Sequence, residues 1–214
     1  MKSIITISFI ILLMQFNSCF AQSNTYFEKY NIPIATSLIG ISLTSAHLTA
    51  PKTYNWQTNS ISQLGAQNYK YSGIMNSGFI SFGTLVSAQA VNDLVSKNKH
   101  WTSSSFMLLY GTSMTLTGLF SAEPFEQGVP YNQKEANTHS LFANIAGVSL
   151  TGAMVSSLLT EKNKNKRILH IAGLSTVLLT SAMFKLDEKH KGTWQRLLWV
   201  GGIGWITLNY TITF

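Results

Sequence analysis

The sequence predicts an all-α, polytopic membrane protein, with six transmembrane helices in a bundle behind an N-terminal signal-like segment. Three observations support this fold class. Six apolar blocks each have about the ~20 residues that a helix needs to cross ~30 Å of hydrocarbon. Charged residues make up only 11% of the chain, against about 25% in an average soluble domain. Those charges lie mostly in short connectors between the blocks, as they do beside membranes.

The six blocks share a low charge content and many small or hydroxyl-bearing residues, which allow close helix packing in lipid. Each is predicted to form one helix. In chain order the blocks are Ile32–Ala50, Gly73–Val95, Trp101–Ser121, His139–Thr160, Ile168–Phe184 and Thr193–Thr213.

The first 21 residues have the layout of a secretory signal peptide. Lys2 precedes a short apolar run over residues 4–16, and Ala21 supplies the small residue before a cleavage site. The apolar run also approaches spanning length, so an uncleaved anchor is the alternative. We therefore predict a signal peptide or anchor over residues 1–21 and a single six-helix integral membrane domain over residues 22–214.

Other protein classes fit the composition less well. A soluble six-helix protein needs charged outer faces at helical spacing, and no such stripe appears. The terminal "NYTITF" is typical of an outer-membrane barrel, but the blocks lack the sustained alternation of barrel strands. The net charge of +7 is spread over connectors and not gathered on one solvated face, so no nucleic-acid partner is expected.

Six crossings distribute the connectors over two faces. The connectors at 95–100 and 161–167 are short, basic and solvated, whereas those at 51–72, 122–138 and 185–192 are longer and contain Trp, Pro, Gly and most acids. Longer structured loops more often carry function. We expect an integral protein of the bacterial inner (cytoplasmic) membrane, but the signal peptide and the positive-inside tendency predict opposite orientations.

The longer loops contain the candidate catalytic residues. A glutamate, Glu123 or Glu126, could orient His139 as a general base, with Ser62 as the nucleophile. No paired histidine motif or cysteine pair indicates a metal site, and no cofactor is expected.

The same loops suggest a binding site for a lipid headgroup, which makes membrane lipids the expected partners. Arg196 could clamp a lipid phosphate, with Gln195 beside it. Asn59 and Trp56 belong to a neutral loop, "NWQTNSISQLG", which we expect to fold onto the mouth of the bundle. Trp56 would then lie at headgroup level, and the Ser and Asn groups of the loop would cap the second helix.

Four stretches of the chain form a distinctive set: "YNWQTNSISQLGA", "NSGFISFG", an acidic-Pro-Phe turn followed by His139, and "GTWQRLLWVGGIGW". Together they resemble the domain of unknown function 998 family of multi-pass membrane proteins. The resemblance covers about residues 32–210 and implies a membrane-embedded helical bundle with no established reaction.

These observations predict an uncharacterised integral membrane protein that binds or modifies a lipid headgroup. One alternative is a non-catalytic membrane scaffold or binding protein. Another is a haem or quinone electron carrier, since His47 and His139 are predicted on one face and His100 and His170 on the other.

Overall fold

A computed structural model describes residues 24–96 and 100–211, and within these ranges the protein is all-helical, as predicted. The predicted signal segment, residues 1–21, lies outside the described residues, as do residues 97–99 of the connector at 95–100. The six described helices are α1 Asn24–Thr49, α2 Ser72–Ser96, α3 Trp101–Leu119, α4 Gln133–Thr160, α5 Lys164–Leu186 and α6 Lys191–Thr211. Two short 3₁₀ helices, Ile61–Gly65 and Glu188–His190, lie in the loops.

All six apolar blocks form helices, and α1, α4 and α5 begin several residues before their blocks. Asn132 caps α4 because its side chain accepts a hydrogen bond from the amide of Glu135. Asn163 caps α5 in the same way, accepting from the amides of Asn165 and Lys166. The prediction that 161–167 is a connector was therefore wrong in part, because its basic residues from Lys164 onward form the first turn of α5.

Three stretches within the described helices are long and apolar enough to cross a membrane, which indicates an integral membrane protein. They are Lys29–Thr49, Gln133–Thr160 and Lys164–Leu186. The outward faces of these helices expose large aliphatic side chains such as Leu48, Val148 and Leu179. Such surfaces are stable in lipid and would promote aggregation in water.

The helices pack mainly against their neighbours in sequence. α1, α2, α3 and α4 form a continuous series, α5 and α6 form a hairpin, and α6 returns to contact α1. The core contains Phe79 and Phe82 from α2 and Trp205 from α6, all fully buried. The bundle therefore closes where the last helix meets the first.

The longer loops gather at one end of the bundle and bond to one another. The amide of Gln67 donates to the carbonyl of Ala122, and the Asn68 side chain donates to the carbonyl of Pro130 (2.6 Å). Thr53 Oγ1 donates to Glu126 (2.8 Å). These contacts fix the loop after α1 against the loop after α3.

Candidate functional site

Arg196, in the first turns of α6, is the centre of a polar cluster at the end of the bundle that carries the longer loops. Its Nη1 donates to the carbonyl oxygens of Asn59 (3.1 Å) and Gly192 (2.8 Å). Its Nη2 contacts Nε2 of His47 (2.8 Å) and donates to the hydroxyl of Tyr54 (2.7 Å). The guanidinium thus ties α6 to both α1 and the loop that follows α1.

Two aromatic rings flank the same guanidinium. The Tyr54 and Trp56 ring centroids lie 6.0 and 5.9 Å from the Arg196 Cζ, within the range of cation–π attraction. Tyr54 is largely buried, whereas about half of the Trp56 surface is exposed. One ring therefore packs inside the cluster, and the other stands at its outer edge.

The uncharged Tyr54 hydroxyl bridges Arg196 and the loop backbone. It accepts from Arg196 and donates to the carbonyl of Ser60 (2.9 Å). Burial raises the pKa of the Tyr54 phenol, while the charge and hydrogen bond of Arg196 act in the opposite direction. The phenol consequently keeps its proton at neutral pH and cannot serve as a counter-ion to Arg196.

The loop that contains these residues folds against α6, and the expectation that it caps α2 was wrong. The Asn59 side chain accepts from the backbone amide of Asn55 (2.8 Å). This bond lies within the loop and does not cap α2. The amide of Thr193 donates to the carbonyl of Gln57 (3.1 Å). Gly192 allows this approach, since a Cβ there would lie 2.3 Å from the carbonyl oxygen of Asn59.

Gln195 fixes the next part of the loop. Its side-chain oxygen accepts a short hydrogen bond from the amide of Ile61, at the start of the 3₁₀ helix. Ile61 is fully buried and also lines the groove described next. Gln195 therefore connects the polar cluster to apolar surface below it.

An open apolar groove of about 300 Å³ lies between α1 and α6, and Arg196 is part of its wall. The other walls are aliphatic or aromatic except for one threonine. These residues are Thr36, Ile39, Gly40, Leu43, Ile61, Trp199, Val200, Ile203 and Gly204. Apolar walls complement a hydrocarbon chain, and a cation at the loop end complements a phosphate. The groove therefore matches the two parts of a phospholipid.

Among the described residues, no carboxylate lies within 4.0 Å of the Arg196 guanidinium. The acids nearest in sequence, Asp187 and Glu188, lie in the turn before α6. Asp187 instead accepts hydrogen bonds from Trp194 Nε1 and His190 Nδ1 (both 3.0 Å), which lower the pKa of its carboxyl group. Arg196 therefore has neutral protein partners and a charge that none of them balances.

The headgroup residues predicted from the sequence lie together, but the catalytic residues do not join them through contacts. Ser62 directly follows Ile61, whose amide donates to Gln195. Glu123 is exposed. No hydrogen bond among the described residues joins Ser62, Glu123 and His139. Their catalytic role stays a prediction.

His139 is buried at the junction of α4 with the end of α3. Its Nδ1 lies within hydrogen-bond distance of the carbonyl oxygens of Thr117 (2.9 Å) and Phe120 (2.8 Å). Both are acceptors, so Nδ1 carries the proton. Within the described part of the chain, Nε2 is buried with no hydrogen-bond partner.

Two contributors to the Arg196 cluster, His47 and Tyr54, were not predicted as site residues. From the sequence, His47 is only a candidate haem ligand, and Tyr54 has no role. The spacing of seven residues between His47 and Tyr54 carries no recognisable motif, and both acquire their role only from a helix that begins more than 130 residues later. The position of Tyr54 directly before "NWQ" was the one available signal.

Three of the four histidines in the predicted haem pairs, His47, His139 and His170, have hydrogen-bond partners within the protein. His47 contacts Arg196 and the carbonyl of Leu43, and Nδ1 of His170 accepts from Trp205 Nε1 (3.0 Å). Across the described residues, no group of three or more His, Cys, Asp or Glu side chains is placed to hold a metal ion.

Comparison of the chain with known protein families identifies one matching family. A model of the family described as "Protein of unknown function (DUF998)" matches residues 34–210, which include four complete helices, most of α1 and α6, and the whole Arg196 cluster. Comparison with curated proteins and with solved structures found no match in either set. Because the family match covers most of the chain, the protein belongs to the DUF998 family.

Proposed function

We propose that this is a multi-pass membrane protein that binds an anionic lipid, with the phosphate at Arg196 and an acyl chain in the groove between α1 and α6. The observation that carries the proposal is the position of an uncompensated guanidinium at one end of an apolar groove. A charged residue at the centre of a membrane helix costs about 2.5–3.5 kcal/mol. Near the boundary a lipid phosphate can supply the missing negative charge.

The groove suits one hydrocarbon chain. Its volume of about 300 Å³ is at the small end of ligand sites, which span roughly 300–1,000 Å³. Gly40 and Gly204 carry no side chains to fill it, and Trp199 provides a broad apolar wall. One chain of a lipid would therefore enter it while the other stays in the bilayer.

The remaining cluster residues have supporting roles in this proposal. The carbonyl of Asn59 and the side chain of Gln195 hold the guanidinium and the loop in place. The exposed Trp56 ring would lie beside the headgroup, at the depth where indoles concentrate. The geometry favours binding over lipid modification, since His139 and Ser62 are not in contact with each other. The proposed location is the bacterial inner membrane.

Quenching of tryptophan fluorescence by brominated lipids tests the proposal, because Trp199 lines the groove. The protein in neutral detergent micelles is titrated with phosphatidylglycerol or phosphatidylcholine, each brominated on one acyl chain. We expect the anionic lipid to quench at about tenfold lower concentration, which corresponds to ~1.4 kcal/mol. Trp199→Phe should remove most of the saturable quenching.

Substitutions of Arg196 test whether its positive charge causes the preference for the anionic lipid. Arg196→Gln should abolish the preference for the anionic lipid, while Arg196→Lys should keep part of it because the charge remains. Arg167→Gln is the matched control, since Arg167 is an exposed arginine in the first turn of α5. An unchanged preference in Arg196→Gln, or an equal loss in Arg167→Gln, would contradict the proposal.

A further inference from the structure

His47 is held in one tautomer by its two neighbours. Its Nδ1 lies 2.9 Å from the carbonyl oxygen of Leu43, which can only accept, so Nδ1 carries the proton. Its Nε2 lies 2.8 Å from Nη2 of Arg196, which can only donate. The observed contact therefore requires a neutral imidazole with a free lone pair on Nε2.

A second proton on the imidazole would convert this contact from attraction to repulsion. Nε2 would then carry a hydrogen that points at the hydrogens of Arg196 Nη2. The hydrogen bond would be lost, and two positive charges would face each other at the distance of the present contact. Arg196 would keep Tyr54, Asn59 and Gly192 as partners but would have one N–H group free.

The groups that face His47 do not offset such a charge. From α6 it faces the Arg196 guanidinium, and from the following loop it faces the Tyr54 ring, with the ring centroids 5.9 Å apart. From the loop after α3, Phe125 packs on Tyr54, and Glu126 bonds to Thr53. Among the described residues, no carboxylate lies within 4.0 Å of the His47 ring.

We propose that protonation of His47 strengthens anionic lipid binding at Arg196, so that the site responds to pH. This inference rests on the proposed function, because it assigns a regulator to the same site. The charge at the site rises from one to two, and the released N–H of Arg196 gains a phosphate oxygen as its acceptor. Histidine is the side chain whose charge ordinarily changes between about pH 5 and pH 8.

The brominated phosphatidylglycerol titration, repeated at about pH 8 and about pH 5, tests the inference. The phosphodiester stays singly charged across this range, and each reading is normalised to unbrominated lipid at the same pH. For the wild-type protein we expect about tenfold tighter binding in acid. His47→Gln keeps an acceptor for Arg196 but cannot gain a proton, so its binding should stay weak at both pH values.

A second substitution of His47 should strengthen lipid binding instead of keeping it weak. His47→Leu removes the acceptor, which leaves an N–H group of Arg196 free at every pH. Its binding should therefore be tighter than wild type at about pH 8 and should not change in acid. His190→Gln is the control, because His190 is an exposed histidine in the turn before α6 and should leave the pH dependence intact.

The outcomes distinguish this inference from the proposed function. Wild-type binding that depends on Arg196 but does not change with pH would overturn the role of His47 and leave the lipid site standing. A pH dependence that persists in both His47 variants would also overturn it. Binding that is unaffected by Arg196→Gln would overturn the lipid site itself.

Discussion

At the scale of single residues, the Arg196 cluster depends on a position that has no side chain. Gly192 lies where the loop after α1 crosses the first turn of α6. A Cβ there would lie 2.3 Å from the carbonyl oxygen of Asn59 and 2.5 Å from that of Trp56. Real Cβ atoms do not approach backbone oxygens so closely, so any larger residue must push the loop away from Arg196.

Gly192→Ala should therefore destabilise the protein and weaken the lipid site. Overpacking of this kind costs about 1–3 kcal/mol, which thermal unfolding in detergent would detect as a lower midpoint. Gly147→Ala is the control, because a Cβ at Gly147 meets nothing within 4 Å. The control should unfold at the wild-type temperature or slightly above it. Equal midpoints for the two variants would contradict the close crossing.

Some residues of the Arg196 cluster could be predicted from the sequence. Arg196, Gln195, Asn59 and Trp56 lie close together, as expected from connectors that share one face, and their role at a lipid headgroup stays a prediction. The partners of Arg196 were not predictable in the same way. His47 is 149 residues away, and the pairing arises only because α6 packs beside α1, which no local pattern encodes.

At the scale of helices, the tightest packing joins α2 to α3. A Cβ at Gly111 would lie 2.6 Å from the amide of Ser87 and 2.7 Å from the carbonyl of Gly83. A Cβ at Gly83 would lie 2.5 Å from the carbonyl of Gly111. The two backbones thus touch where the two glycines meet, as small residues permit in membranes.

Gly111→Ala should separate α2 from α3 and lower stability by about 1–3 kcal/mol. The matched substitution is Gly204→Ala in α6, where a Cβ meets nothing within 4 Å. Denaturation in mixed micelles, followed by the loss of helical circular dichroism, would compare the two. If Gly111→Ala were as stable as wild type and as Gly204→Ala, the close approach of α2 and α3 would be refuted.

The sequence predicted helix positions better than helix ends. Apolar blocks located all six helices, because the length needed to cross a bilayer is a strong constraint. The starts of α4 and α5 were missed because Asn132 and Asn163 cap polar turns that extend beyond the apolar region. Such turns need no hydrocarbon neighbours, so hydropathy does not register them.

At the scale of the whole molecule, alternating helices place the three longer loops at one end. The connections after α1, α3 and α5 lie there, and the connection after α4 lies at the other end. If all six helices cross the membrane, as proposed, these ends face opposite compartments. Side chains in the two sets of loops should then differ in their access to reagents.

Cysteine labelling measures that difference. In a Cys19→Ser background, single cysteines at the exposed positions Glu126, Lys189 and Lys162 are treated with a membrane-impermeant maleimide. We expect Glu126→Cys and Lys189→Cys to react from the same side and Lys162→Cys from the other. Labelling of all three from one side would rule out the alternating arrangement.

The return of α6 to α1 also sets an order of assembly during synthesis. The carbonyl of Asn59 and the side chain of Arg196 are 137 residues apart. At about 5–20 residues per second, the ribosome needs roughly 7–27 s to make that interval. The loop after α1 thus enters the membrane interface well before its partner exists. During that time headgroups and water must satisfy its polar atoms, and the seam between the first and last helices is the part of the bundle that closes last.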